Sequence, residues 1–307
     1  MEGPSLRRLI ERAVGEEAVA FEDASRGCDH RVTVVRTARG RSLVVRVRTA
    51  GDIGLRDEAW AIEQCARAGA RVPAVRLIAA LETASGPVEA MVQEAVPGRA
   101  LSEVGGGLDP RRLAHVLAQA GEQLAAIHGV AAAGFGRRRG GAWDFATWDE
   151  YAAARAPDPA APARALQAAG LPPREWETAL AAAWAARRRC DRPVLCHMDL
   201  SFEHIFVDGD LRLTGVIDFG DFEGAPREVD LAFFALGEGH AALQMLLAAY
   251  RRAAGPLPAD FPRNLDAACV HLAAGDLADD GGEDAESREW MAGVLRGALQ
   301  RWVAAGG

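Results

Sequence analysis

The stretch Cys196 to Asp208, CHMDLSFEHIFVD, sets Asp199 between His197 and His204 and follows them with a short apolar run. Imidazole and carboxylate at this spacing suit a metal cage, a catalytic loop, or a buried loop whose polar groups satisfy one another. The residues that follow narrow the choice. The chain continues DGDLRLTGVIDFGDFEGAPREVDLA, in which Asp208-Gly209 is a tight-turn signal between the apolar runs Ile205 to Val207 and Leu211 to Ile217. A hairpin is expected there. Folding back, it returns Asp218-Phe219-Gly220 to the neighbourhood of Asp199 and His204.

Elements able to hold these loops flank them. RVTVVRTARGRSLVVRVRT carries two β-rich runs joined by Ala38-Arg39-Gly40-Arg41, a hairpin signal, and VEAMVQEA is a further strand stopped by Val96-Pro97-Gly98. Asp57 to Ala68 reads as a helix with Glu58, Ile62, Cys65, Ala66 and Gly69 on one face, ended by Gly69 and Pro73. Ala- and Leu-rich helical segments then run over Arg111 to His128, Arg174 to Arg189, His240 to Ala254 and Glu286 to Ala305. Val104 to Pro110 and Ala156 to Pro173 read as irregular. The texture predicts an α+β protein of two lobes. Residues 1–95 form a small β-rich lobe with one helix, about 93–98 a connector, and 96–307 a larger, mainly helical lobe. A cleft between lobes favours a small-molecule site.

Bulk properties exclude other classes. The 307 residues are 50% hydrophobic and 25% charged, the profile of a soluble protein with a substantial core. The net charge is −8, and every residue of the Lys+Arg total of 35 is arginine. An acidic chain lacks the footprint for nonspecific nucleic-acid binding, so no nucleic-acid partner is expected. Cys28, Cys65, Cys190, Cys196 and Cys269 are scattered and never spaced Cys-x-x-Cys, which points to a reducing compartment. Charges break the apolar residues of MEGPSLRRLIERAVG, and no other apolar run looks long enough to cross a bilayer. A cytoplasmic location with no membrane partner is expected.

The order His197-x-Asp199-Leu200-x-x-x-His204, hairpin, Asp218-Phe219-Gly220 matches the protein-kinase signature H-R-D-L-x-x-x-N followed by D-F-G. LVVRVRT, RDEAWAIEQCARAGARVPAV, MVQEAVPGRAL, LAAIH with GFG after it, and GAPREVDLA complete an ordered series. With it the chain resembles the aminoglycoside phosphotransferase branch of the protein-kinase-like fold, which also includes choline, homoserine, fructosamine and macrolide kinases. The resemblance implies ATP as phosphoryl donor, with GTP as the alternative, and Mg²⁺. It implies a small-molecule hydroxyl as acceptor, an antibiotic among the candidates, and a monomer or homodimer. Asp199 would align the attacking hydroxyl, since an aspartate of pKa about 3.9 is a feeble base before bond formation. Asp218 would offer a hard oxygen to magnesium. His197 would hold the loop through hydrogen bonds. Gln93, Glu94, Ala95 and Val96 would present backbone groups to adenine. Asp230 reads as structural, and Asp208, Asp210, Asp221 and Glu223 as solvated turn charges.

Three departures stand out. His204 replaces the family's asparagine, as in macrolide kinases, although imidazole suits later transition metals better than Mg²⁺. A neutral His204 is expected to help hold the metal, and a protonated one not to; His204→Asn should then flatten the acid limb of turnover. The phosphate-gripping lysine is missing; Arg46 or Arg48 would replace it, with Arg46 in the better register and Glu58 as its natural partner. The rival reading is two solvated strand arginines and a helix-start glutamate. Phe21 to Arg31, where the nucleotide loop belongs, has one glycine and no G-x-G-x-x-G.

Acceptor recognition is less legible. Asp276, Asp279, Asp280, Glu283, Asp284 and Glu286 would hold a polycation, or form a solvated loop favouring the next helix N-terminus. Trp143, Phe145, Trp148, Tyr151 and Trp176 would line an apolar pocket, or belong to the core. Two rivals to the kinase stay open: a non-catalytic nucleotide-binding relative, and a metal-dependent hydrolase using His197, Asp199, His204 and Asp218.

Overall fold

The computed structural model describes residues 3–24, 30–48, 54–83, 86–156, 160–186, 190–278 and 285–306. Helix α1 (Pro4–Val14) precedes strands β1 (Ala18–Ala24), β2 (His30–Thr37) and β3 (Ser42–Arg48). Helix α2 (Leu55–Arg67) and strands β4 (Val75–Thr83) and β5 (Gly86–Glu94) follow. The five strands form one antiparallel sheet in the order β1-β2-β3-β5-β4. Strand alternation divides its two faces. Ala90 and Val92 of β5 pack with Leu6, Leu9 and Ile10 of α1, whereas Met91 packs with Leu55, Ala59 and Ile62 of α2. The small lobe therefore has two helices, not the one expected. The buried stripe of α2 carries Glu58, Ile62 and Cys65, but Ala66 and Gly69 are exposed.

The connector leaves the sheet after Glu94 and reaches β6 (Arg99–Ala100). Gly98 is needed on the way. Its φ is 102°, and a Cβ there would stand 2.1 Å from the Val207 carbonyl oxygen. Helix α3 (Leu101–Val104) and one 3₁₀ turn (Gly105–Gly107) lead into α4 (Pro110–Ile127). Asp109 caps α4 by accepting from the Arg111 and Arg112 N–H groups at 2.9 Å each, with Pro110 in the first turn, a cap worth about 1 kcal/mol.

Strands β7 (Phe135–Arg139) and β8 (Ala142–Phe145) and helices α5 (Trp148–Ala154), α6 (Ala161–Ala168) and α7 (Pro173–Ala185) come next. They are followed by strands β9 (Val194–Cys196), β10 (Ile205–Val207), β11 (Leu213–Val216) and β12 (Glu223–Ala225). The chain ends in α8 (Arg227–Ala253), α9 (Phe261–Ala278) and α10 (Ala285–Ala304). Two small sheets, β11-β10-β6 and β8-β7-β12-β9, sit in this otherwise helical lobe. Its core joins Leu117 and Leu124 of α4 to Leu243 and Leu246 of α8, Val270 of α9 and Trp302 of α10.

Helices α6 and α9 were not apparent in the sequence pattern, and α8 begins at Arg227 instead of His240. Gly239, with φ 85°, breaks the helix one residue before His240. Helix α8 is also long and apolar enough to cross a membrane, contrary to the expectation that no such run exists. Its Leu231, Phe234, Leu243 and Leu247 are instead buried in the core of the helical lobe.

Candidate active site

The loop from β9 to β10 turns at Met198, whose φ of 68° is left-handed. A non-glycine residue there costs about 1–3 kcal/mol and persists only where its surroundings dictate it. Asp230, in the first turn of α8, dictates it. Its carboxylate accepts from the His197 N–H at 2.7 Å and the Met198 N–H at 2.8 Å. His128, the residue that caps the C-terminus of α4, bonds the same carboxylate through Nε2 at 2.9 Å. Burial works against ionised Asp230, but the bond and charge of His128 outweigh it and hold the carboxyl below its ordinary range. His128, Cys196 and Asp230 are close enough to suggest a metal cluster, yet they are buried and the carboxylate is already spent on the loop.

His197 links the two functional loops. Its Nε2 donates to the Ile217 carbonyl at 2.9 Å, its Nδ1 accepts from the Asp199 N–H at 3.2 Å, and its ring lies 4.6 Å from that of Phe219. A carbonyl only accepts and an N–H only donates, so these partners fix a neutral tautomer. Burial lowers the imidazole pKa in the same sense. Neither nitrogen is left for a metal, which removes His197 from the hydrolase ligand set. It is a positioning residue.

Asp199 follows and is half exposed, at 49% of its side chain. Burial of the remainder and the neighbouring Asp218 push its pKa up to about 6, against the pull of His204. His204 donates Nδ1–H to the Asp199 carbonyl at 2.5 Å, because that oxygen can only accept. Its Nδ1 also stands 3.5 Å from Asp199 Oδ2, and its Nε2 lies 3.9 Å from Asp218 Oδ2. One imidazole thus faces both carboxylates.

The β10–β11 hairpin delivers Asp218. Asp208 Oδ1 accepts from the Asp210 and Arg212 N–H groups at 2.9 Å, closing the turn. Ile217 N–H bonds the His204 carbonyl at 3.0 Å, and Val216 N–H bonds the Arg71 carbonyl at 2.8 Å. Gly215 lets the hairpin approach the connector, since a Cβ there would meet Val96 Cγ1 at 2.9 Å. Asp218 itself is left-handed, φ 68°. Its Oδ1 accepts from Arg46 Nη2 at 2.8 Å. Burial works to raise its pKa, but Arg46, and then His204, outweigh it, so the carboxyl titrates below its ordinary range.

Arg46 donates its other terminal nitrogen, Nη1, to Glu58 Oε1. Arg46 is 6% and Glu58 1% exposed. The reading of Arg46 as a solvated strand arginine is therefore wrong, while Arg48 at the end of β3 is exposed. Burial pushes Glu58 up to about 7 despite the opposing charge of Arg46.

The connector differs from expectation. Glu94 pairs with Arg41 and Arg76 at 2.8 Å each, its N–H bonds the Ala74 carbonyl, and the Ala95 N–H bonds the Ser42 carbonyl. Those two N–H groups cannot serve a base. Val96 N–H has no hydrogen-bond partner among the described residues. Gln93, 5% exposed, has a buried Oε1 with no partner among the described residues. An orphaned buried acceptor costs about 1–3 kcal/mol, so a ligand donor there would be welcome.

Other expectations fail on burial. Glu223 is no solvated turn charge: it is 3% exposed and accepts from Arg155 at 2.6 and 2.8 Å. Burial, opposed by Arg155, raises its pKa. Asp221 keeps a solvated side chain, 41% exposed, while pairing with Arg137 at 2.7 Å. Trp143 packs with Trp60 and Phe222, whereas Trp148 and Tyr151, clustered with Phe135, line a cavity, so the pocket reading holds for these two rings and not for Trp143. Asp276 lies in the last turn of α9, and Asp279, Asp280, Glu283 and Asp284 lie outside the described residues, as do residues 25–29 of the stretch from Phe21 to Arg31.

Two contributors were not anticipated. Glu238 Oε1 accepts from the Phe202 N–H at 2.7 Å, steadying the loop beyond Asp199. Just past it, an open groove of about 470 Å³ is lined by Gly239, His240, Glu286, Glu289 and Trp290. Asp57 is the other. It accepts from Arg138 and from the Gly140 and Gly141 N–H groups at 2.6 and 3.0 Å, tying α2 to the β7–β8 turn. The glycine pair after RRR was the only trace of that contact in the sequence.

A small antiparallel sheet over a helical lobe, with both functional loops at their junction, defines a protein-kinase-like phosphotransferase. The chain belongs to the phosphotransferase enzyme family, whose model matches residues 21–265. It is a small-molecule kinase acting on hydroxyl groups. A thermostable mutant of aminoglycoside phosphotransferase APH(4)-Ia superposes with a TM-score of 0.66 at 20% identity, covering 98% of this chain and 100% of that one. Macrolide 2'-phosphotransferase MphH from Brachybacterium faecium gives 0.54 at 22% identity, covering 95% and 97%. Aminoglycoside 2'-phosphotransferase-IIIa, in its GDP complex, gives 0.56 at 16% identity, covering 99% and 100%. At these identities the likeness carries the fold alone. Comparison with curated proteins gives no match.

Proposed function

We propose that the protein transfers the γ-phosphoryl group of ATP, with Mg²⁺, to a hydroxyl of a small molecule. The observation that carries this reading is the convergence of Asp199 and Asp218 on His204, at 3.5 and 3.9 Å. Residues 1–95 would hold the nucleotide and 96–307 the acceptor. Gln93 Oε1 and the Val96 N–H, both without a partner among the described residues, offer an acceptor and a donor three residues apart at the connector, which suits the amino edge of adenine. GTP stays the alternative donor, in keeping with the GDP complex of a structural relative.

The donor set also fits the cation. Asp218 Oδ2 is the hard oxygen Mg²⁺ prefers, and donation from Nδ1 leaves the lone pair of neutral His204 on Nε2, facing that oxygen. When bound, Mg²⁺ supplies positive charge against the phosphate oxygens. Arg46, held at both ends by Glu58 and Asp218, contributes a permanent cation on the same side. Asp199 orients the acceptor hydroxyl and takes its proton as the new bond forms. Its pKa near 6 makes it a better proton acceptor than an ordinary aspartate, while ionised at neutral pH.

Antibiotic hydroxyls head the acceptor candidates. One relative was crystallised with AMP-PNP and hygromycin B, and another is a macrolide phosphotransferase. A cytoplasmic setting is part of the same reading, supported by Cys65, Cys190, Cys196 and Cys269 all being outside disulfides. The test is ATP-consumption screening against aminoglycosides, macrolides, nucleosides and amino alcohols, with Asp199→Asn as the blank. A phosphorylated product lost in that variant is expected. Nucleotide binding without product across the panel would reject catalysis.

A further inference from the structure

A second cavity, of about 490 Å³, is not lined by Asp199, His204 or Asp218. It lies where the segment entering β9 meets the first turn of α8, closed by α5 on one side and α9 on the other. The volume is that of a site for a small organic molecule.

Its lining is two-sided. Val229, Ala267, Ala268 and Leu272 make an apolar floor, with the Trp148 ring beside them. The polar side is rich in donors. Arg192 is exposed at the rim and has no partner among the described residues. Arg227 stands in the wall, and Asn264 Nδ2 is buried with no acceptor among the described residues. The Pro226 end of α8 has no side-chain cap. The acids in the wall, Asp191 and Glu228, are already engaged, and Arg155 is committed to Glu223. A ligand completing this wall must bring acceptor oxygens.

The cavity wall is also wired to the active site. Arg227 opens the same turn of α8 that carries Asp230, and its charge opposes the burial that raises the pKa of Tyr250, whose hydroxyl lies 2.8 Å from His128 Nδ1. His128 Nε2 lies 2.9 Å from Asp230, and Asp230 holds the His197 and Met198 N–H groups. Every member of this relay from Tyr250 onward is buried. A ligand oxyanion that pairs with Arg227 therefore changes the charge bearing on the first member of this relay.

We propose that this cavity binds a small oxyanion on an apolar body (a carboxylate, sulfonate or phosphate monoester) through Arg227, Arg192 and Asn264. Its occupancy shifts the loop bearing Asp199 through the Tyr250–His128–Asp230 relay.

The test uses the full chain, with 1-anilinonaphthalene-8-sulfonate as the anionic probe and neutral N-phenyl-1-naphthylamine as its comparison, both followed by fluorescence. The sulfonate should saturate at one site per chain and the neutral probe bind more weakly. Arg192→Ala, a change at an exposed position, should weaken the sulfonate about tenfold, the loss of one charge-assisted contact, and spare the neutral probe. Ala268→Phe should exclude both. Hydrogen exchange of the 197–204 segment should change when the sulfonate binds and cease to respond in Tyr250→Phe. No saturable sulfonate site, or affinity indifferent to Arg192→Ala, overturns the site. Saturable binding that leaves exchange over 197–204 unchanged overturns the coupling. None of these readouts requires a phosphoryl acceptor, so they stand or fall separately from the catalytic reading.

Discussion

The acid limb of turnover belongs to Asp199, and this can be separated from any contribution of the neighbouring imidazole. In the free protein, burial and Asp218 hold Asp199 at about 6, while His204 pulls it down. The ionised form accepts the hydroxyl proton, so kcat/KM, which reports the free enzyme, should fall below that value. At pH 5 about one-tenth of the carboxylate remains ionised, giving a roughly tenfold loss relative to the plateau. Replacing His204 by asparagine removes the charge that lowers Asp199. The limb should persist and move to higher pH. This reverses the expectation from sequence, under which the substitution flattens it. The assay is ADP release coupled to NADH oxidation, run from pH 4.5 to 8.5 with a productive acceptor. A flattened profile in His204→Asn would refute the argument and return the limb to the imidazole. So would a wild-type limb at the ordinary aspartate value near 4.

Further predictions concern what supports the site. Arg46→Met leaves Glu58 unpaired in the interior and should cost about 3–5 kcal/mol, read as a lower urea midpoint. Because the folded-state pKa of Glu58 is already raised, the loss should grow as pH rises through 7, where the carboxyl must ionise without its partner. Glu58→Gln in the same chain should recover part of it; additive losses would deny the pairing. Asp230→Ala orphans the His197 and Met198 N–H groups and should cost several kcal/mol, about 1–3 for each donor, with faster exchange of those amides. Unchanged exchange would contradict the bracing role. Gln93→Leu removes an acceptor that no described residue uses, so thermal stability should hold or rise while ATP affinity falls about tenfold. Unaltered affinity would mean that Gln93 does not face the base.

The sequence carried the site further than the fold. His197, Asp199, His204 and Asp218 are separated by a short hairpin whose Asp-Gly turn is a local signal, so their convergence could be read from turn chemistry. Arg46 and Glu58 were legible for a similar reason: a cation on an inward strand position and an acid on the apolar face of a helix demand each other. What stayed hidden depends on distant partners. Glu223 looks like a turn charge until Arg155, far off in the chain, buries beside it. The connector N–H groups of Glu94 and Ala95 looked available until Ala74 and Ser42 claimed them. Helix α9 was missed because its apolar residues, Leu265, Val270 and Leu277 among them, surround much of the helix instead of forming one stripe. Helix α8 was cut short at Gly239 because a glycine with φ 85° interrupts an otherwise continuous element.

The central claim is a division of labour in which Asp218 holds the cation and Asp199 handles the acceptor. Calorimetric binding of AMP-PNP with and without Mg²⁺, in wild type, Asp199→Asn and Asp218→Asn, tests it most directly. Magnesium-dependent affinity should survive in Asp199→Asn and disappear in Asp218→Asn. Equal magnesium dependence in all three proteins would contradict the account.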